Sequence, residues 1–302
     1  MNIYPTMVTP YTDMGKIDFK GLEAMIQWYM KNQVDGLFAV CQSSEMFFLT
    51  LEERLQLARF VKETAAGKLP VIASGHISDS FKEQVRELNL MAETGVNAVV
   101  MITNRLALKE ESDDIWRKNL EKLLKYIPED VRLGLYECPY PYKRVISPLS
   151  LKWCADTSRF SFLKDTSCSI ENMTQKMEAI KGSGLKIFNA NTATLLESLK
   201  LGISGYSGIM SNFHPDLYVW LMRNWRDKHE AAKRLINFLS IAASQIERQL
   251  YPVNAKYYLG LEGININISC RSKRHEDFTL ANRIEVEQLQ ALSREYSAQY
   301  AL

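Results

Sequence analysis

Histidine is scarce in this 302-residue chain, and cysteine is thinly scattered. The four histidines, His76, His214, His229 and His275, form no HxxxH or other dense ligand pattern. The five cysteines, Cys41, Cys138, Cys154, Cys168 and Cys270, include no CxxC. Neither a structural nor a catalytic zinc is therefore expected. An odd cysteine count at wide spacing reads as reduced thiols in a cytoplasmic protein, not a disulfide framework. No apolar run approaches the roughly 18 residues that span a bilayer. The opening Met1-Asn2-Ile3-Tyr4-Pro5 has no basic stretch followed by an apolar one, so no secretory leader is expected. Charge of one sign is lacking too: 37 Lys and Arg face 35 Asp and Glu, a net +2. That balance offers no footprint for nucleic acid or an anionic membrane. No GxGxxG follows an early strand; Gly182-Ser183-Gly184 precedes one, the wrong context for a dinucleotide.

What is present is a regular alternation. Hydrophobic residues make up 46% of the chain and charged ones 24%, as in globular domains. Eight short apolar runs rich in β-formers recur: Ile3–Val8, Gly36–Val40, Val71–Ser74, Ala98–Ile102, Val131–Tyr136, Phe160–Lys164, Leu185–Phe188 and Tyr206–Met210. Their starts fall about 20 to 35 residues apart, which suits one strand and one helix per unit. Helix signals lie between them. Thr50 and Glu53 form a capping box, and Ser80, Ser112 and Ser169 stand at further helix starts. Runs that are apolar throughout are buried on both faces, as in a parallel sheet covered by helices. Eight such units predict an α/β fold, a (β/α)₈ TIM barrel, over 1–225. The rest, 226–302, reads as a small helical C-terminal extension. Asp216–Gln249 is read as one long helix, broken by Pro252, with a final helix over Ala281–Ala298.

Barrel enzymes carry their reactive groups at the C-terminal ends of the strands. Lys164 ends the apolar Phe160-Ser161-Phe162-Leu163. Burial there would lower its pKa and leave a neutral amine able to attack a carbonyl. The alternative is a strand-edge lysine paired with Asp165. Tyr136 ends the fifth run; a phenol there can shuttle protons or simply pack. Ser43 and Ser44 sit on a tight turn whose hydroxyls and N–H groups can hold a carboxylate, although serine is also ordinary in turns.

These residues together resemble the class I aldolases that include dihydrodipicolinate synthase and N-acetylneuraminate lyase. The resemblance runs from Thr9-Pro10 to about Lys256. Val8-Thr9-Pro10-Tyr11 is similar to the family's T-P-F opening. Cys41-Gln42-Ser43-Ser44-Glu45 lies where the family has G-[ST]-T-G-E, and Tyr136-Glu137-Cys138-Pro139 resembles Y-N-x-P. Phe162-Leu163-Lys164-Asp165-Thr166-Ser167 resembles the block around the Schiff-base lysine, 28 positions after the tyrosine. Gly205 to Asn212 lies where a glycine-rich eighth strand runs to asparagine, and Pro252 and Lys256 resemble N-P-x-x-x-K.

The resemblance implies an imine between Lys164 and a 2-oxo acid, with Tyr136 relaying protons. It implies that Ser43, with the backbone of Ser43 and Ser44, binds the carboxylate, and that main chain near Ser207 lines the site. It implies no metal or organic cofactor, and a homo-oligomer, a tetramer or a dimer. The partners implied are a small-molecule 2-oxo acid, pyruvate-like or a 2-keto-3-deoxy sugar acid, and an aldehyde.

Departures bear on the second substrate. Glu137 replaces the motif asparagine, and Gln42 stands at the first hydroxyl position of the loop. Pro141 stands where dihydrodipicolinate synthases have an arginine. Thr103-Asn104-Arg105-Leu106 replaces their tyrosine pair, and Asn191-Thr192-Ala193 replaces the Asp-Glu pair of N-acetylneuraminate lyases. Arg105, Lys143 or Arg144 could then hold an anionic tail, and His76, Glu137, Asn189 or Asn191 could bind hydroxyls. Gln42, Ser43, Ser44, Glu137, Asn189 and Ser207 are thus the expected substrate-binding residues. Two alternatives stay open: 4-hydroxy-tetrahydrodipicolinate synthase proper, and a non-catalytic paralogue that binds a 2-oxo acid.

Overall fold

A computed structural model of the chain describes residues 2–300. Eight strands follow in order: β1 (Asn2–Ile3), β2 (Leu37–Val40), β3 (Val71–Ser74), β4 (Ala98–Ile102), β5 (Leu133–Tyr136), β6 (Phe160–Asp165), β7 (Lys186–Asn189) and β8 (Gly205–Tyr206). From β2 to β8 each strand pairs in parallel with the next, and β8 pairs with β1. The ring closes where Thr6 bridges Phe38, with the Phe38 N–H donating to Pro5 O at 3.0 Å and the Met7 N–H to Phe38 O at 3.1 Å. This is the expected (β/α)₈ barrel. The first and last strands are shorter than their apolar runs. Pro5 has no N–H to continue a ladder, and Ile209–Asn212 coils into a 3₁₀ turn.

Helices α1 (Phe19–Lys31), α2 (Leu51–Ala65), α3 (Phe81–Ala92), α4 (Asp113–Leu124), α5 (Pro148–Asp156), α6 (Ile170–Ala179), α7 (Leu195–Lys200) and α8 (Pro215–Asn224) surround the strands. The Thr50–Glu53 capping box forms, and the Ser112 and Ser169 hydroxyls cap α4 and α6. Ser80 makes no side-chain cap bond. The long helix expected over Asp216–Gln249 is two, α8 and α9 (His229–Ile246). The chain turns after Asn224, whose carbonyl accepts from the N–H groups of both Asp227 and Lys228. α10 (Val253–Leu261) and α11 (Leu280–Gln299) follow, α10 packing on α11, and α11 on α8 and α9. Among the described residues no helix is long and apolar enough to cross a membrane.

The barrel interior is aromatic. The Phe162 ring centroid lies 4.7 Å from that of Phe188, 5.9 Å from Tyr4 and 5.9 Å from Phe38. Gly36 leaves room for this plug: a Cβ there would stand 2.4 Å from the Tyr4 ring. Gly205 has a similar duty at the seam, where a Cβ would meet the Asn2 carbonyl at 2.2 Å.

Candidate active site

Side chains alternate across a strand. On β6, Phe162 joins the interior plug, so Lys164 two residues later also points inward, one layer higher. Tyr136 is the register partner of Lys164 on the adjacent β5. The Lys164 Nζ lies 4.7 Å from the Tyr136 ring centroid and 5.9 Å from that of Phe38. Among the described residues it makes no hydrogen bond and no ion pair. Burial therefore brings the amine down to about 8, against weak opposition from the Cys41 and Cys138 thiols. Burial also pushes the Tyr136 phenol well above its ordinary range, so it keeps its proton.

Both residues open onto a cavity of ≈ 440 Å³ at the C-terminal ends of the strands. Gln42 and Ser43 line it from the turn after β2. The Ser43 hydroxyl lies close to the Tyr251 phenol and the Cys41 thiol, and its N–H also faces that thiol. Ser44 serves the turn instead. Its hydroxyl donates to Cys41 O at 2.7 Å and accepts from the Cys41 N–H at 2.8 Å, while its N–H points to Cys41 O at 3.2 Å. Of the two serines, only Ser43 faces the cavity. Glu45 closes the turn at φ 62°, a left-handed conformation uncommon for glutamate. Its carboxylate fixes it there, accepting from the Arg271 and Ser272 N–H groups at 2.7 Å each and from Lys256 at 3.2 Å.

Three expected ligands besides Ser44 lie off the cavity wall. The same alternation that turns Tyr136 and Phe188 inward turns Glu137 and Asn189 outward, toward the helices. Glu137 is fully buried, 2.5 Å from Lys176 of α6. Asn189 donates to Thr194 Oγ1 and Ser198 Oγ at 3.0 Å each. The Ser207 hydroxyl donates to Tyr4 O at 2.9 Å, and Gly208 and Ile209 line the cavity in its place. His76 is also diverted. Its Nε2 accepts the Ile102 N–H at 3.0 Å, so Nδ1 donates to Gln84 Oε1 at 3.1 Å. Arg105 is engaged by Asp79, and Arg144 by Asp113 and the carbonyls of Leu108 and Glu111. Asn191 and Lys143 do line the cavity. The Lys143 ammonium donates to Thr166 O at 2.8 Å and pairs with no carboxylate among the described residues.

The sequence reading missed Tyr251, which lines the cavity fully buried and accepts from Asn212 Nδ2 at 3.1 Å. Its signal was at hand: it occupies the asparagine position of the N-P-x-x-x-K segment. Phe47, Phe48 and Tyr140 form an aromatic outer wall, with the Phe47 and Tyr140 rings 4.8 Å apart. Ser272 and Lys273, beyond α10, complete the rim. Among the described residues no group of three or more His, Cys, Asp and Glu could hold a metal ion.

The chain matches the Dihydrodipicolinate synthetase family over residues 1–276. It is 24% identical to the 4-hydroxy-tetrahydrodipicolinate synthase of Bacillus velezensis over 88% of this chain and 90% of that protein. The fold overlays a dihydrodipicolinate synthase from Bacillus anthracis with a TM-score of 0.87 at 18% identity, over 96% of this chain and 97% of that one. It overlays a prophage protein of the dihydrodipicolinic acid synthase family from E. coli K12, solved with pyruvate, with a TM-score of 0.83 at 22% identity, over 98% of each chain. A family match across nine-tenths of the length joins the barrel and the strand-end lysine and tyrosine: the chain belongs to the dihydrodipicolinate synthetase family and is a lyase of the class I aldolase type.

Proposed function

We propose that this chain makes or breaks a carbon–carbon bond next to a 2-oxo acid, pyruvate or a 2-keto-3-deoxy sugar acid, through an imine on Lys164. One observation carries the reading: an unpaired amine, held down near 8 by burial, stands beside a protonated phenol in a cavity much larger than pyruvate. The neutral amine adds to C2 of the oxo acid. The carbonyl oxygen takes protons, relayed by Tyr136, and leaves as water. The iminium acidifies C3; loss of a C3 proton gives an enamine, whose carbon adds to an aldehyde. Hydrolysis of the imine releases product and restores the amine. Cleavage is the same path reversed. Ser43, through its hydroxyl and its N–H, binds the carboxylate. No cofactor takes part. Lys143 supplies the cation for an acidic group on the second substrate, because Arg105 and Arg144 are already engaged. Relatives are named 4-hydroxy-tetrahydrodipicolinate synthase, after a product that carries two carboxylates, which keeps that activity as the second reading. The working form is a homo-oligomer, a dimer or tetramer.

Borohydride reduction in the presence of pyruvate, read by intact mass and peptide mapping, tests the imine. A reduced pyruvyl adduct on Lys164, absent from Lys164→Ala, is expected. Folded protein that traps neither pyruvate nor larger 2-oxo acids would leave the chain a non-catalytic binder.

A further inference from the structure

Glu137, Lys176 and Asp165 form a fully buried ion triad immediately outside the strand pair that carries the site. The Lys176 Nζ is 2.5 Å from Glu137 Oε1 and 2.5 Å from Asp165 Oδ2, and all three side chains are inaccessible to solvent. Two carboxylates and one ammonium leave an excess negative charge in the interior, a costly arrangement unless every oxygen is satisfied. They are. Glu137 Oε1 also accepts the Ile146 N–H at 3.0 Å, and Oε2 accepts the Thr166 N–H at 2.8 Å. Asp165 Oδ1 accepts the Ser167 N–H at 2.8 Å and its hydroxyl at 2.7 Å. Each of these partners of Glu137 is a donor: both acceptor sites of Oε1 are taken, so a proton there displaces one of them, and a proton on either oxygen removes the charge that holds Lys176.

The contacts continue the β5–β6 pairing past the ends of the strands. The Glu137 N–H donates to Lys164 O at 3.3 Å, and the Thr166 hydroxyl to Glu137 O at 2.7 Å. The carboxylate bond to Ile146 closes the loop that brings Pro139, Tyr140 and Lys143 to the cavity. We propose that Glu137 is a positioning residue: held ionised by Lys176, it clamps the ends of β5 and β6 so that the Tyr136 phenol stays over the Lys164 nitrogen, and its protonation releases the clamp. This rests on the imine reading above. The charged and titratable groups acting on Glu137 are Lys176 of α6, Asp165 of β6 and the Cys168 thiol after β6; Tyr136 and Cys138 flank it in the chain. Burial, countered by Lys176 and reinforced by Asp165, brings Glu137 up to about 7, which places the release within the working range of such a site.

Exchange of the pyruvate C3 protons in D₂O, followed by NMR, tests this without an aldehyde. At saturating pyruvate Lys164 is already consumed as imine, so its own titration leaves kcat. The wild type should lose kcat as pH falls through about 7. Glu137→Gln should lack that limb and show kcat lowered roughly 10- to 100-fold on the alkaline side, the scale of one charged hydrogen bond, with its borohydride adduct intact. Glu137→Asp should recover the limb and part of the rate. A wild type without the limb, or a folded Glu137→Gln that keeps both limb and rate, overturns the proposal; a merely structural Glu137 would change thermal stability alone. If Glu137→Gln does not fold, the limb in Glu137→Asp must shift along the pH axis, and an unmoved limb overturns it. Absence of any adduct in the wild type would instead remove the imine reading itself.

Discussion

Lys256 and Glu45 stand 211 residues apart in the chain and 3.2 Å apart in the fold, both side chains buried. The pair ties α10 to the turn that presents Ser43. Burial, helped by the nearby Arg271, drives the lysine's pKa down, and Glu45 works to restore it. Lys256→Met would leave the Glu45 carboxylate buried without its cation. Removing one partner of such a pair costs about 3–5 kcal/mol. Urea unfolding should show a loss of this size, and surviving protein should trap pyruvate only at raised concentration. A stability change below about 1 kcal/mol would mean the pair is solvated in solution.

Tyr136→Phe keeps the ring over Lys164 and removes only the hydroxyl. Turnover should fall by the roughly 10²–10⁴-fold typical of an acid–base group. Pyruvate exchange rates would measure it. A loss under about tenfold would reduce Tyr136 to a wall of the cavity.

Two buried groups bias stability in opposite directions over the same pH range. His76 falls from 6.5 to about 4 because burial disfavours its cation. Its contribution is complete above 6.5 and is lost as pH falls toward 4. Glu137 rises from 4.5 to about 7, so its contribution is complete below 4.5 and is lost as pH climbs toward 7. Plots of melting temperature against pH should tilt apart in His76→Gln and Glu137→Gln. The first should lose acid sensitivity, and the second should lose the decline toward neutrality. Parallel curves for both variants and the wild type would show that neither group titrates as placed.

Lys143→Ala should leave the pyruvate adduct unchanged and raise KM for a carboxylate-bearing aldehyde roughly 10- to 100-fold, as expected for one charged contact. A neutral aldehyde should be indifferent. Equal effects on both would mean that Lys143 acts through its bond to Thr166 instead.

The barrel was legible because buried parallel strands announce themselves as short apolar runs, and Lys164 because an amine at the end of such a run is out of place. Glu137 and Asn189 were misread for one reason. The residue after an inward-pointing Tyr136, and the one after an inward-pointing Phe188, must face the helices, and the expectation weighed polarity without that parity. Tyr251, Ser272 and Lys273 lie beyond the eighth strand; the motif around Pro252 and Lys256 marked the first of them, and nothing at the strand ends pointed to the other two. The break between α8 and α9 depends on how the barrel's last helix meets the extension, a tertiary matter that helical periodicity does not encode. Lys176 gave no signal at all, since a lysine on an amphipathic helix ordinarily reaches water.

The ring of strands is a loop with a clasp. Seven joins are ladders, whereas between the first and second strands the join is the single Thr6–Phe38 bridge and a few flanking backbone bonds. A closed ring has no edge to offer another chain, and a ring opened at its clasp has two. The residues that keep this protein from recruiting its own copies into a growing sheet are therefore not those of the cavity but the handful at its beginning, from Ile3 to Met7, where the circle is fastened.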